Sequence, residues 1–575
     1  MENRRQLSSW IELGLVFISL ILAFCVPGLS SEWFDHAEQC FNQLARRKRL
    51  SLLVVGLTSL VARAAVFPIL PVPQPYVTDE FSQLLLADTL LQGRLANPTH
   101  PMWIHFETPQ VIMQPTYASM YPPAQGIFLA LGRAIGRHPF VGVLISLAFM
   151  CSALCWMLQG WMAPGWALLG GLLAVMHFAV FSYWANSYWG APVAAGGGAL
   201  VLGALPRIIR GVHWSGAVVM GLGLTVLANS RPYEGFVLSL PVAIAFFTWL
   251  FKQKDMMLRT SIRHVLVPLV FVLLVSALAT GYYCWRVTVN PLRLPQQVDR
   301  DTYAVAPYFL WQHPRPIPAY RNEAMRQLYI DYELGVYNDT RSLSKLIALW
   351  IIRSASFLLF YLGPALGLPL VMVVAVLPYG FKWASIQWPV RFFLLASATS
   401  IAGIGVEVFF SPHYAAPMTG LILVLVVSAM HRVRKWQWYG KPAGVFVTRA
   451  VPLICILMLV LRGAASALHL SPGANQLWTA YNAKPVKSPR IGIEHELQSR
   501  PGNQLAVVRY NSSATGSPQP GWVYNRANIE QAKVVWAWDM GPAENRELID
   551  YFRNRQVWLV EANEEPPRVS PYPIR

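Results

Sequence analysis

PFVGVLISLAFMCSALCWMLQGWMAPGWALLGGLLAVMHFAVFSYWANSYWGAPVAAGGGALVLGALP, running from Pro139 to Pro206, contains no Asp, Glu, Lys or Arg. A helix that crosses a bilayer takes about 20 apolar residues, so this stretch predicts roughly three spans. Such a run excludes a soluble protein, and its apolar content excludes a disordered one. Outward from it, comparable runs lie at 10–30, 51–72, 139–159, 164–184, 190–206, 214–229, 235–251, 265–285, 354–379, 392–410, 413–430 and 448–467. The fold class that follows is mainly α, polytopic and transmembrane, with about 12 spans. Residues 342–353 carry Lys345 and Arg353 on an apolar segment and predict a helix lying in the membrane interface. Residues 125–137 predict a short, partly buried helix.

The chain has 575 residues, 13% of them charged, and a formal net charge of +18. In a soluble protein that charge points to nucleic acid. Here the Lys and Arg gather in short loops between spans: Arg46, Arg47, Lys48 and Arg49; Lys252, Lys254, Arg259 and Arg263; Arg432, Arg434 and Lys435. That is the positive-inside pattern, and no nucleic-acid partner is expected. It places 207–213, 252–264, 380–391 and 431–447 inside. It places 73–138, 185–190, 230–235, 286–344, 411–412 and the C-terminal segment outside. The rule then puts Arg4 and Arg5 outside too, which leaves the N-terminal helix poorly oriented. The N-terminal run reads as an anchor rather than a cleaved signal. The six cysteines sit mostly in apolar settings and read as small hydrophobes, not as a disulfide or metal set.

Three parts follow. Residues 1–50 are an anchor helix and a cytoplasmic amphipathic segment. Residues 51–467 are the membrane part, with outer loops 73–138 and 286–344. Residues 468–575 are polar and turn-rich, with strand-like runs QLAVVRY, KVVWAW and QVWLVE and a helical pattern over 542–555, and predict a small extracytoplasmic α/β domain.

Chemistry is expected on the outer side. Asp79 and Glu80 are adjacent carboxylates where the first loop begins, suited to accepting a proton from an attacking hydroxyl. By spacing alone, Thr78 or Asp79 as a helix N-cap before FSQLLLADTLL is the simpler account. His100, His105 and Glu107 have the side chains of a metal cluster without helical metal spacing, and pocket-lining or loop hydrogen bonding is the simpler account. Tyr121-Pro122-Pro123 marks a helix start. Arg231, in NSRPYEG, has the forked donors of a phosphate ligand, or else a partner in Glu234. His413 and Tyr414, in SPHYAAP, can reach the same phosphate or belong to an aromatic belt. Arg63 lies inside a span and is either functional or snorkels outward. A transporter would place such groups near the bilayer midplane instead.

The ordered set DEFSQLLLADTLLQGRLANPTHPMWIHFE, YPPAQG, NSYWG, NSRPYEG, HYAAP and WDMGPAENRELIDYF resembles the GT-C class of polytopic glycosyltransferases. Within it the chain looks similar to the family 39 branch, which is protein O-mannosyltransferase-like and lipid A aminoarabinose transferase-like, and more narrowly to a bacterial subgroup of it. The resemblance covers most of 50–430 and extends to the tail. It implies inverting transfer of one sugar from a polyprenyl-phosphate donor to a glycan, lipid or protein acceptor at the extracytoplasmic face of the inner membrane. Asp79 matches the family's base, with Glu80 beside it. Tyr121 stands where relatives often have a basic residue, and His413-Tyr414 where many have Arg-Tyr. Arg63, Arg231 and His413 are then the candidates for the donor phosphate. The scheme requires no cofactor and leaves room for a divalent metal. The alternatives are a transporter or flippase for a lipid-linked sugar, and a non-catalytic assembly protein.

Overall fold

The computed structural model describes residues 7–29, 31–376, 387–465, 487–510 and 521–573. Arg4, Arg5, most of the basic loop expected at 380–391 and the first part of the C-terminal segment lie outside the described residues. Eight described helices are long and apolar enough to cross a membrane: Phe140–Trp161, Ala191–Arg210, Pro232–Phe251, Asp255–Thr288, Leu343–Tyr361, Trp388–Gly405, Pro412–Val433 and Ala443–Ala464. Four shorter apolar helices accompany them, at Ser9–Cys25, Pro164–Phe178, Trp214–Ala228 and Gly363–Ala375. The expected span at 51–72 is a helix only over Lys48–Ala65.

Residues 342–353 do not form a separate interfacial helix. They are the first part of one continuous helix, Leu343–Tyr361, which is followed by a second apolar helix, Gly363–Val376. The Arg353 guanidinium explains the difference. It turns to the backbone carbonyl oxygens of Glu407 (3.0 Å) and Val408, so its charge needs no water-facing stripe. The single run expected at 354–379 is thereby split.

Side-chain size decides which helices lie inside the bundle. Ala191–Arg210 and Pro412–Val433 are each 83% buried over their apolar windows, whereas Leu343–Tyr361 is 6% buried. The buried helix is the one built from PVAAGGGALVLGA. Small residues allow backbones to approach closely where no hydrophobic effect drives helix pairing. Leu343–Tyr361 instead exposes Ile347, Ile351, Ile352, Leu358 and Leu359, a surface suited to lipid and not to water. The N-terminal helix is tied in by charge: buried Glu12 pairs with Arg462 at 3.1 Å and accepts from the Ala365 backbone N–H. Two opposite charges away from water must be paired, and these are. No cysteine among the described residues is disulfide-bonded.

The loops gather at one end. Ala124 N–H donates to Asn229 O, the Gln125 amide to Tyr188 O, and Tyr283 O–H to Tyr121 O. Basic residues mark the opposite end, where Glu38 pairs with Arg434 at 2.7 Å and with Arg449 at 2.9 Å. At the loop-rich end the C-terminal segment forms a four-stranded sheet. Asn503–Arg509 lies between Val534–Trp538 and Arg555–Glu561, parallel to both, and Arg568–Pro571 closes one edge antiparallel. Strand alternation splits its side chains between two layers. Leu505, Val507, Val535 and Ala537 pack with Phe81, Leu85, Phe106, Val111 and Met113 of the first loop. Ala506, Val508, Trp536 and Trp538 face Ile493, Leu497 and Trp522. The sheet is thus seated on the first loop.

One close approach fixes the turn that carries His413 and Tyr414. A Cβ placed on Gly198 would stand 2.0 Å from the Pro417 carbonyl oxygen. Gly198→Ala is therefore expected to lower stability by about 1–3 kcal/mol, as overpacking does. Gly492→Ala, with nothing within 4 Å of the new carbon, should not. Thermal melts of both variants in detergent check this, and equal melting temperatures would contradict the close packing.

Candidate functional site

The site is built outward from the helix Thr78–Leu91, which begins after the proline-rich PVPQP and carries Asp79 and Glu80 in its first turn. Carboxylates suit that position because unpaired backbone N–H groups point there. Neither Thr78 nor Asp79 is the N-cap. Val77 occupies that place, and Glu80 does the capping from the third helical position. Glu80 Oε2 accepts from the Tyr76 and Val77 N–H groups at 2.9 and 3.2 Å, while Oε1 accepts from the Tyr188 N–H at 3.0 Å. Glu80 is buried, and burial pushes its pKa up to about 7, with the Asp79 charge adding to the rise and the three backbone donors opposing it.

Asp79 is half-buried and differently placed. Its Oδ1 accepts a short hydrogen bond from the Tyr121 hydroxyl, and its Oδ2 accepts from the Gln110 amide at 3.3 Å. Gln110 holds a left-handed backbone, φ 63°. A non-glycine residue there is strained, and its carbonyl is held by Ser82 Oγ–H at 2.7 Å. Tyr121 also lies within electrostatic reach of a second group. Burial, then Asp79, and then Tyr414 push the Tyr121 phenol well above its ordinary range, and the Arg231 charge opposes them.

That second group is Arg231, the residue before the helix Pro232–Phe251. Its guanidinium lies 4.4 Å from the centre of the Tyr414 ring and 3.4 Å from Glu234 Oε1. Its side chain is 25% exposed, so an anion can reach it. The structure therefore brings Asp79, Tyr121, Arg231, Glu234 and Tyr414 together. His413 sits just beneath, with Nδ1 3.2 Å from the Tyr183 hydroxyl and its ring stacked on Trp189.

Arg63 stands apart. Its guanidinium donates to the carbonyl oxygens of Leu70 (3.0 Å), Pro71 (3.3 Å) and Ala185 (3.4 Å), and packs against Phe67 and Phe140. It neither snorkels nor opens to a ligand; it is wholly buried and closes the end of its helix. His100, His105 and Glu107 do not converge either. His100 contacts Glu530 at 2.9 Å and stacks on Phe552, while His105 Nδ1 lies 3.3 Å from Trp538 O. Glu107 Oε1 accepts from Arg321 at 2.9 Å and Tyr303 at 3.1 Å. All three fasten the first loop to the C-terminal sheet and the 286–344 segment. Among the described residues no three His, Cys, Asp or Glu side chains form a metal-ligand set.

Sequence reading missed Gln110, Glu407, Arg353 and the pair Arg300–Glu333, which closes at 2.6 Å. Glu333 lies near enough to Asp79 for that charge to add to the rise that burial imposes on its pKa. Glu407 was legible only as an acid directly before VFFSPHY; nothing local gives it a role.

No protein-family model matches the chain, and no curated protein does. Solved structures do. The chain is similar to the oligosaccharyltransferase of Archaeoglobus fulgidus in complex with Zn and sulfate. That match is at 11% identity and TM-score 0.48, over 89% of this chain and 67% of that one. It is similar to ArnT from Cupriavidus metallidurans at 14% identity and TM-score 0.45, over 88% and 92%. It is similar to the arabinofuranosyltransferase AftD from Mycobacteria at 14% identity and TM-score 0.41, over 89% and 35%. The chain spans 62% of the apo form of the Archaeoglobus enzyme.

The Glu80 joint gives a pH signature. A carboxyl whose folded pKa is raised from 4.5 to about 7 stabilises the fold fully below the lower value. That contribution is lost as pH rises through the upper one. Between those values the wild-type melting temperature should fall more steeply with pH than that of Glu80→Gln. Parallel slopes would remove Glu80 as the source.

Proposed function

We propose that the protein is a membrane glycosyltransferase that moves one sugar from a polyprenyl-phosphate donor to a glycan, lipid or protein acceptor, with inversion. One observation carries the reading. At the loop-rich end of an apolar helical bundle, a half-buried carboxylate, Asp79, is hydrogen-bonded by Tyr121, and a partly exposed guanidinium, Arg231, lies within electrostatic reach of the same tyrosine. Transfer from a lipid phosphate needs those two groups at the membrane surface: one to take a proton, one to face the leaving charge. The motif order that resembles the GT-C class supports the same assignment.

In this scheme Asp79 accepts the proton of the acceptor hydroxyl as its oxygen attacks the anomeric carbon. The bond from that carbon to the phosphate oxygen breaks with its electron pair passing to the phosphate. Arg231 stabilises the resulting charge. Tyr121 and Gln110 orient Asp79, and Glu80 holds the helix that presents it. Tyr414 seats Arg231. No step requires a cofactor. The loop-rich end is the extracytoplasmic face of the inner membrane, because the basic loops lie at the other end. The sheet of Asn503–Pro571 belongs to a C-terminal unit on that face, covering the first loop.

The test is transfer in proteoliposomes given radiolabelled polyprenyl-phosphate sugars and membrane extract. Asp79→Asn is expected to lower transfer by about 10²–10⁴-fold. Tyr121→Phe should lower kcat by roughly tenfold, through lost orientation. Arg231→Lys should raise the donor KM by about tenfold or more, since an ammonium does not replace a forked guanidinium. Label that crosses the bilayer unchanged, equally in wild type and Asp79→Asn, would make the protein a carrier.

A further inference from the structure

Glu407 takes no part in the scheme above, yet it lies beside its phosphate-binding group. It follows the helix Trp388–Gly405 and precedes the turn that carries Tyr414. It is buried, and its Oε1 has no hydrogen-bond partner among the described residues. Its backbone carbonyl, not its carboxyl, receives Arg353. The groups facing it come from every neighbouring element. Arg231, Tyr233 and Glu234 stand at the start of Pro232–Phe251, and Arg353 on Leu343–Tyr361. Tyr414 lies on the following turn. Tyr308 is on the strand-like segment whose backbone pairs with Val406 and Val408, and Arg300 stacks on both Tyr308 and Phe409. Beyond them stand Tyr332, Glu333, Tyr121 and Asp79.

A buried carboxylate oxygen without a hydrogen bond disfavours the ionised form. Such a group avoids that state by keeping its proton. The Arg231–Glu234 contact is long, at 3.4 Å, and so is readily exchanged for another anion.

We propose that Glu407 is a positioning residue: its buried carboxyl, with Oε1 unpartnered among the described residues, stays neutral and so leaves Arg231 available to the phosphate of the donor. The inference rests on the reading of the site given above. With the proton in place on Glu407, Asp79 and Glu234 carry two negative charges against the two of Arg231 and Arg353, and the opening is neutral before the donor arrives. Loss of the proton adds a second anion beside Arg231. Both carboxylates then compete for the guanidinium, and the phosphate is repelled. Burial, and then the neighbouring Glu234 charge, raise the Glu407 pKa from its ordinary value, which keeps the proton bound at neutral pH.

The experiment is equilibrium binding of undecaprenyl monophosphate to the full-length protein in nanodiscs, over roughly pH 7 to pH 10. Its phosphate is already doubly ionised across that range, since the second pKa lies near about 6. In wild type the Kd is expected to rise toward tenfold per pH unit along an alkaline limb. Glu407→Gln, permanently uncharged, should lose that limb. Glu407→Asp, still titratable, should keep one. Melting temperatures taken in the same nanodiscs identify any variant that has not folded. If Glu407→Gln has not folded, the limb in Glu407→Asp decides, and its absence overturns the proposal. A limb identical in wild type and Glu407→Gln overturns the proposal alone. No saturable binding at neutral pH overturns the donor reading itself, and this proposal with it.

Discussion

The carboxylate of Glu80 joins chain segments 108 residues apart, and the geometry of the site depends on that joint. One oxygen closes the start of the helix Thr78–Leu91; the other takes the Tyr188 N–H from the NSYWG loop between two spans. A helix terminus leaves N–H groups that must find partners, and a loop at a membrane edge has the same need. Glu80 meets both with one side chain. The adjacent Asp79 is thereby fixed in direction, because two residues in sequence on a helix diverge by about 100°. The pair divides its labour by burial: the buried acid holds the backbone, and the half-exposed one faces the opening.

The bilayer explains why so much is concentrated at one end. Within it, backbone groups are satisfied only inside helices, and unpaired charge is expelled or paired. Glu12–Arg462 and the carbonyl-bound Arg63 obey that rule inside the bundle. Polar groups with spare donors or acceptors are left for the helix ends. There the sheet adds a second constraint, because Phe81 and Leu85, on the helix that carries Asp79, pack against its strands. Movement of the sheet is movement of the site.

The sequence was legible wherever structure is local. Most apolar runs overlap a described helix, with ends off by as much as a turn or two at 51–72 and 164–184, and the runs QLAVVRY, KVVWAW and QVWLVE mark three of the four strands of the sheet. Asp79 and Arg231 could be named because each sits at a segment boundary with few apolar neighbours. What failed was non-local. Arg353 makes 342–353 look amphipathic only while its partners, the carbonyls of Glu407 and Val408, are unseen. Arg63 resembles a ligand-binding charge until Leu70, Pro71 and Ala185 are found on it. His100, His105 and Glu107 read as pocket-lining or loop hydrogen-bonding groups, but their partners Glu530, Trp538 and Arg321, hundreds of residues away, could not be named from the sequence.

The remaining question is why Asp79 is held by a tyrosine and an amide rather than by an arginine. A carboxylate has about four acceptor positions, and here Tyr121 and Gln110 take two, one on each oxygen. A bidentate guanidinium would occupy both oxygens along their outward edge and present a full positive charge to whatever entered. Two neutral donors fix orientation without neutralising the group and leave lone pairs toward the opening. The positive charge stands apart, at Arg231, within electrostatic reach of Tyr121 but in no ion pair with Asp79 among the described residues. On the proposed reading, a site divided in this way keeps a proton acceptor and an anion-binding cation from quenching each other.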